Sequence, residues 1–182
     1  MKRKIRFALT MAVITAALGA APASAEPAAA QAPDEADTFL VEIEDDGRIT
    51  TPYYSITTPA CWEGHYTVKT VSNETGMWLE LFYEDHRGYY SGHLFSILLT
   101  DKEDYRIIAD YDLTGELENE AGDRYHIVAV YPTDVQFSRE NRIDYTALSN
   151  DADLILDSIE PADGWSVLEF SEQKDYNTDT KP

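Results

Sequence analysis

The fold is decided by residues 77–100, MWLELFYEDHRGYYSGHLFSILLT. In MWLELFYE, Met, Leu, Leu and Tyr share one face while Trp, Glu and Phe share the other, a period of two that is typical of a β-strand. LFSILLT (94–100) is apolar on both faces, as a strand in the centre of a sheet is. We therefore predict two strands here, the second of them inside the sheet.

Further strands are predicted where β-branched and aromatic residues cluster between turn residues. They are TFLVEIE (38–44), YYSIT (53–57), HYTVKTV (65–71), YDLTGEL (111–117), RYHIVAVY (124–131) and WSVLEF (165–170). SNETG joins 65–71 to 77–84, and ENEAGD joins 111–117 to 124–131. Each of these turns predicts a hairpin.

Towards the C-terminus the apolar spacing becomes helical. An amphipathic helix, broken near Ser149 and Asn150, would place on one face Ile143, Leu148, Ala152, Ile155 and Ile159. Thr133 with Gln136, or Ser138 alone, would cap its start. The predicted class is α+β: an antiparallel β-sheet of about six to seven strands, with the C-terminal amphipathic helix packed on one face.

The N-terminal region has the pattern of a secretory signal peptide over residues 1–25. Basic residues precede an apolar core, and Ala23 and Ala25 form an A-x-A cleavage site. The core is short for a membrane-spanning helix, which disfavours the alternative of an uncleaved anchor. We expect a disordered acidic Ala/Pro linker at 26–37, one domain at 38–170 and a disordered tail at 171–182. The protein would be secreted, either free or held at the cell surface.

The charge balance is strongly acidic, with 34 Asp and Glu against 14 Lys and Arg, and four of the basic residues lie in the predicted leader. Nucleic acids and anionic membranes both attract basic surfaces, so neither is an expected partner. Cys61, the single cysteine, excludes an internal disulfide and is predicted to be a small buried apolar residue beside Trp62. We expect a monomer that needs no cofactor.

Three segments carry a resemblance to known proteins. They are YYSITTPACWEG (53–64), GHLFSILLTD (92–101) and YPTDVQF (131–137), the last followed by the predicted helix. Over residues 51–164 the chain resembles a group of small uncharacterised secreted proteins of Gram-positive bacteria, whose layout is similar to the Mog1/PsbP-like fold. That fold includes a Ran-binding protein and an oxygen-evolving photosystem subunit. The resemblance implies a scaffold used for docking, and it transfers no active site.

The sequence contains no nucleophile elbow, H-E-x-x-H, P-loop or dinucleotide fingerprint. We therefore assign no catalytic residue. The acidic runs lack the alternating oxygen ligands of a calcium loop, and we predict that each is a solvated face or turn. No metal ligands are assigned either.

The most chemically diverse stretch is DHRGYYSGHLF (85–95). Its two histidines, with Asp85 and Glu84, suit zinc or copper, or one histidine could act as a general acid or base. The stretch could also be a plain connection between strands. A binding loop is a further possibility, since exposed tyrosines beside an arginine bury much area at small entropy cost. The candidate binding residues are His86, Arg87, Tyr89, Tyr90, His93 and Trp62.

The function that these observations favour is that of a secreted, non-enzymatic domain for binding or cell-envelope interaction, with an unknown protein or small molecule as ligand. The alternative is a secreted hydrolase with a metal-assisted or carboxylate mechanism. A cleft that gathers His86, His93 and two or more carboxylates would favour the enzyme, whereas a flat aromatic surface would favour binding.

Overall fold

The computed structural model describes residues 38–84 and 90–168. The predicted signal peptide, linker and C-terminal tail lie outside the described residues. So do three of the candidate binding residues, His86, Arg87 and Tyr89.

In chain order the described elements are β1 (Glu42–Ile43), β2 (Arg48–Thr50), β3 (Tyr54–Thr57), the 3-10 helix η1 (Ala60–Trp62), β4 (Tyr66–Asn73), β5 (Gly76–Tyr83), β6 (His93–Thr100), the 3-10 helix η2 (Asp104–Ile107), β7 (Tyr111–Asn119), β8 (Arg124–Val130), α1 (Arg142–Ser149), α2 (Ala152–Leu156), β9 (Glu160–Pro161) and β10 (Trp165–Leu168). Each predicted strand segment overlaps a described strand, and two further strands, β2 and β9, were not predicted. The α+β class is confirmed.

Six strands form the larger sheet, in the order β10-β7-β8-β6-β5-β4. All neighbours in it are antiparallel, and both predicted hairpins, β4–β5 and β7–β8, are present. Strand β6 lies between β5 and β8, which confirms its predicted central position. Its buried residues on both faces explain why apolar side chains occur on both faces of its sequence.

The first strands form a second sheet, where the sequence predicted one sheet in all. Its order is β1-β2-β3-β9, and it shares a core with the larger sheet through buried residues such as Ile49 and Ile56. Strand β1 has only two residues, far fewer than the predicted 38–44, because Leu40 is exposed and breaks the alternation. On its other side, strand β3 pairs with β9, which lies near the C-terminal end of the domain.

One face of the larger sheet, the inner face, packs against the small sheet and the helices. Tyr145, Leu148 and Ile155 belong to the same buried cluster as Leu79 and Ile97. The helical region is broken into α1 and α2 at residues 150–151, as predicted.

Three details of the predicted helix were wrong. Ile159 lies beyond the end of α2 at Leu156. Ile143 is 77% exposed, because on α1 it lies away from the buried side chains of Tyr145 and Leu148. Asn141, rather than Thr133 or Ser138, occupies the N-cap position, and Ser138 Oγ instead donates a hydrogen bond to Asn141 Oδ1.

The opposite, outer face of the larger sheet carries Trp78, Glu80 and Phe82 of β5. Tyr105 of η2 packs on this face in a small cluster with Leu98 and Val128. No helix within residues 38–84 and 90–168 has the length and apolar character needed to cross a membrane.

Candidate binding cleft

An irregularity between β5 and β6 shapes the outer face. Leu81 lies opposite Phe95 and the next residue, Phe82, lies opposite His93, so Leu94 is an extra residue in β6. Such a bulge changes which side chains share a face. Leu94 and Phe95 both belong to the inner core, and His93 and Ser96 therefore meet on the outer side.

His93 is held by a hydrogen bond and by a contact with an aromatic ring. Its Nε2 lies 2.7 Å from Ser96 Oγ, and its ring centroid lies 5.3 Å from that of Phe82. Burial lowers the pKa of His93, and a hydrogen bond with the Phe95 backbone only partly opposes this effect. The imidazole is therefore neutral at neutral pH.

Glu80 lies beside His93 on the same face. In the sheet register it stands opposite Ser96 of β6 and Lys69 of β4. Burial raises the pKa of Glu80, and the nearby positive charge of Lys69 partly lowers it again. Lys69 is itself held over Phe82, with Nζ 4.3 Å from the ring centroid.

These residues form part of an open cleft of about 480 Å³ on the outer face, which we call the outer cleft. Three chain segments supply its walls: 91–93, 108–110 and 131–136. The loop 131–136 is fastened to the first of them, because Gly92 N donates to Gln136 O at 3.1 Å and Ser91 Oγ donates to Gln136 Oε1. Its lining residues are Glu80, Phe82, Ser91, His93, Ile108, Ala109, Asp110, Tyr131, Pro132, Thr133, Asp134 and Gln136.

The predicted binding residues fall in different places. His93 lines the outer cleft, and Tyr90 lies next to its wall with 38% of its surface exposed. Trp62 is fully buried on the inner side, so the binding role predicted for it does not fit its position. Sequence reasoning missed Glu80, although a carboxylate between Trp78 and Phe82 on one strand face was a visible signal. It also missed Asp110 and Asp134, which come from distant loops.

The environment of Cys61 differs from the prediction. Its side chain is exposed rather than buried, with Sγ 3.6 Å from Asp151 Oδ2. The neighbouring Trp62 takes the core position instead and donates from Nε1 to the same oxygen at 3.1 Å. The carboxylate of Asp151, the N-cap residue of α2, thus anchors the loop 59–64 to the helices.

Among the described residues, no group of three or more His, Cys, Asp or Glu side chains is arranged to hold a metal ion. No family model, no curated protein and no solved structure matches the chain. The function must therefore be argued from the site itself.

The lowered pKa of His93 predicts a pH dependence of stability. Below its ordinary value of 6.5 the unfolded chain takes up the imidazole proton first, and folded His93 follows only at lower pH. Stability should therefore fall as pH falls through this window. Replacement His93→Gln should remove this part of the loss, as measured by urea unfolding at about pH 7.5 and about pH 5.5. The variant His65→Gln, at an exposed histidine, serves as the comparison for the loss of a histidine side chain outside the cleft. An unchanged slope in His93→Gln would contradict the prediction.

Proposed function

We propose that this protein is a secreted, non-enzymatic binding domain and that its ligand, a small molecule or a segment of a protein, occupies the outer cleft. The observation that carries this proposal is the convergence of three segments on one cleft of about 480 Å³. That volume falls within the usual range for ligand sites, which combine apolar walls with a few placed polar groups.

The polar groups of the cleft favour a ligand that donates hydrogen bonds. The carboxylates of Asp110 and Asp134, which line the cleft, are hydrogen-bond acceptors. Phe82 adds an apolar surface to the lining. A ligand carrying hydroxyl or amine groups on a small apolar frame fits this combination.

The predicted leader supports secretion in this proposal, since export would place the cleft outside the cell. The sheet with its C-terminal helices also fits the resemblance to the Mog1/PsbP-like fold, whose members serve in docking. We propose both as part of the same function. The exported form should begin at Glu26, which intact-mass measurement of the culture medium would test.

A secreted hydrolase with a carboxylate mechanism is the second candidate, and one observation favours it. Burial raises the pKa of Glu80 in a cleft that also holds Asp110 and Asp134. A carboxyl group with a raised pKa can serve as a general acid or base.

One experiment tests both candidates. A chemically mixed set of small polar fragments is added to the ¹⁵N-labelled exported chain, and amide shifts are recorded. Hydroxyl- or amine-bearing fragments should shift Ser91, His93, Asp110 and Gln136 together. The variant Glu80→Gln should reduce these amide shifts. The control Glu42→Gln, on the exposed strand β1, should leave them unchanged.

Two results would overturn the proposal. The first is that no fragment perturbs these amides. The second is that the protein hydrolyses a substrate in a parallel screen, with turnover lost in Glu80→Gln and retained in Glu42→Gln. The second result would establish the hydrolase instead.

A further inference from the structure

A second concave surface lies where the two sheets present their edges side by side. Strand β1 is the outermost strand of the small sheet and β4 the outermost strand of the larger one. Near Phe39 the chain itself closes this seam, because Thr70 Oγ1 of β4 donates to Phe39 O at 2.8 Å and Val41 packs on the core. Beyond Ile43 the seam opens into a groove of about 390 Å³, which we call the seam groove.

The walls of the seam groove are held firmly. Thr58 donates to Gly47 O from both its backbone N, at 2.9 Å, and its Oγ1, at 3.0 Å. Gly47 has a φ of +83°, and a Cβ there would lie 2.7 Å from Thr58 Oγ1, so only glycine allows this approach. The opposite wall is anchored by the buried Trp62. The groove is thus formed before any ligand arrives.

The lining combines an apolar floor with an acidic rim. The floor includes Ile43, Pro59, Ala60, Tyr66 and Val68, and the rim carries Glu44, Asp45, Asp46 and Glu63. None of the lining residues is Lys or Arg. The nearby Arg48 is engaged elsewhere, since its Nη2 donates to Ser55 Oγ at 2.6 Å and to Glu160 Oε2 at 2.7 Å.

We propose that the seam groove binds an extended basic peptide segment of a partner protein. Lysine and arginine stems are apolar and would lie on the floor, while their charged heads would reach the rim carboxylates. This site is separate from the outer cleft and does not depend on the function proposed for it.

The sheet edge favours an extended peptide over a small cation. Within residues 38–84 and 90–168, strand β4 pairs with β5 alone, so its other edge offers backbone N–H and C=O groups beside Tyr66 and Val68. An added strand can use such groups while its alternate side chains fill a groove. The chain's own segment 38–41 already runs along the same seam. A second copy of this chain is a poor occupant, because its formal charge of −20 would repel the rim.

The test uses isothermal titration of the exported chain with a capped pentapeptide that alternates lysine and valine. This peptide should bind, more weakly at higher salt, and a glutamate–valine peptide should not. Removing two rim charges with Asp45→Asn and Glu63→Gln should weaken binding about tenfold. The control pair Glu140→Gln and Asp157→Asn loses the same charge at exposed positions outside the groove and should bind like the wild type.

Three outcomes would overturn the proposal. They are absence of binding by the lysine peptide, an equal loss of affinity in the rim and control variants, and equal binding of a lysine–valine peptide with alternate backbone nitrogens methylated. An equal loss would show attraction to the overall charge rather than to the groove. Tolerance of methylation would show that the edge of β4 plays no part.

Discussion

Gly76→Ala is expected to destabilise the protein by about 3 kcal/mol or more, because it adds both backbone strain and a steric clash. Gly76 begins β5 at the end of the tight turn from β4 and has a φ of +139°, which L-residues rarely adopt. A Cβ there would lie 2.5 Å from Leu99 O and 2.8 Å from Leu98 Cδ1. The carbonyl belongs to the central strand β6, so relief would require a shift in the middle of the sheet.

A matched glycine separates the two effects. Gly164 also has a positive φ, +82°, but nothing lies within 4 Å of its added Cβ. Gly164→Ala should therefore cost only the conformational strain, about 1 kcal/mol. Denaturant unfolding of both variants measures the difference. Equal losses would show that the turn moves away from β6 without cost.

The larger sheet was predictable from sequence because its signals are local. The alternation of residues 77–84 and the double-sided apolar run of 94–100 each reflect burial of a strand by its immediate neighbours. The break between α1 and α2 was visible for the same reason. A hydrophobic pattern that reflects contacts between neighbouring elements can therefore be recognised in the local sequence.

The second sheet was not predictable, because it depends on a distant pairing. Strand β9 has two residues, and it meets β3 from about one hundred positions further along the chain. The positions of Cys61 and Trp62 were not predictable for the same reason. The sequence predicted a buried cysteine and a tryptophan in contact with a ligand, and the structure has an exposed cysteine and a buried tryptophan. The buried indole of Trp62 bonds to Asp151, a residue about ninety positions further along the chain.

The outer cleft was predictable only in part. His93 was singled out for its residue type, but the bulge at Leu94 that turns it towards Ser96 leaves no mark in the sequence. Nothing in the local sequence of Asp110 or Asp134 distinguishes them from other acidic loop residues, because their segments meet only in the folded protein. Sites built from separated loops depend on tertiary structure, and composition alone does not reveal them.

Trp62→Ala is expected to cost about 3 to 5 kcal/mol, as truncation of a buried aromatic side chain does. Trp62 is fully buried, packs edge-on against Tyr66 and Phe95, and donates its indole hydrogen bond to Asp151. Truncation would leave a cavity between the sheets and release the loop 59–64, so affinity for the lysine–valine peptide should fall as well.

Trp78→Ala is the matched control for this prediction. Trp78 is partly exposed on the outer face, where its Nε1 donates to Thr75 Oγ1 at 3.0 Å. Its truncation should cost less than that of Trp62, because the indole is partly exposed, and it should leave the seam groove intact. The sequence suggested Trp62 as a contact residue, and a contact residue would lose binding with little change in stability. Urea unfolding therefore separates the two roles. A loss for Trp62→Ala no larger than that for Trp78→Ala would restore the contact role, whereas a larger loss places Trp62 among the residues that hold the two sheets together.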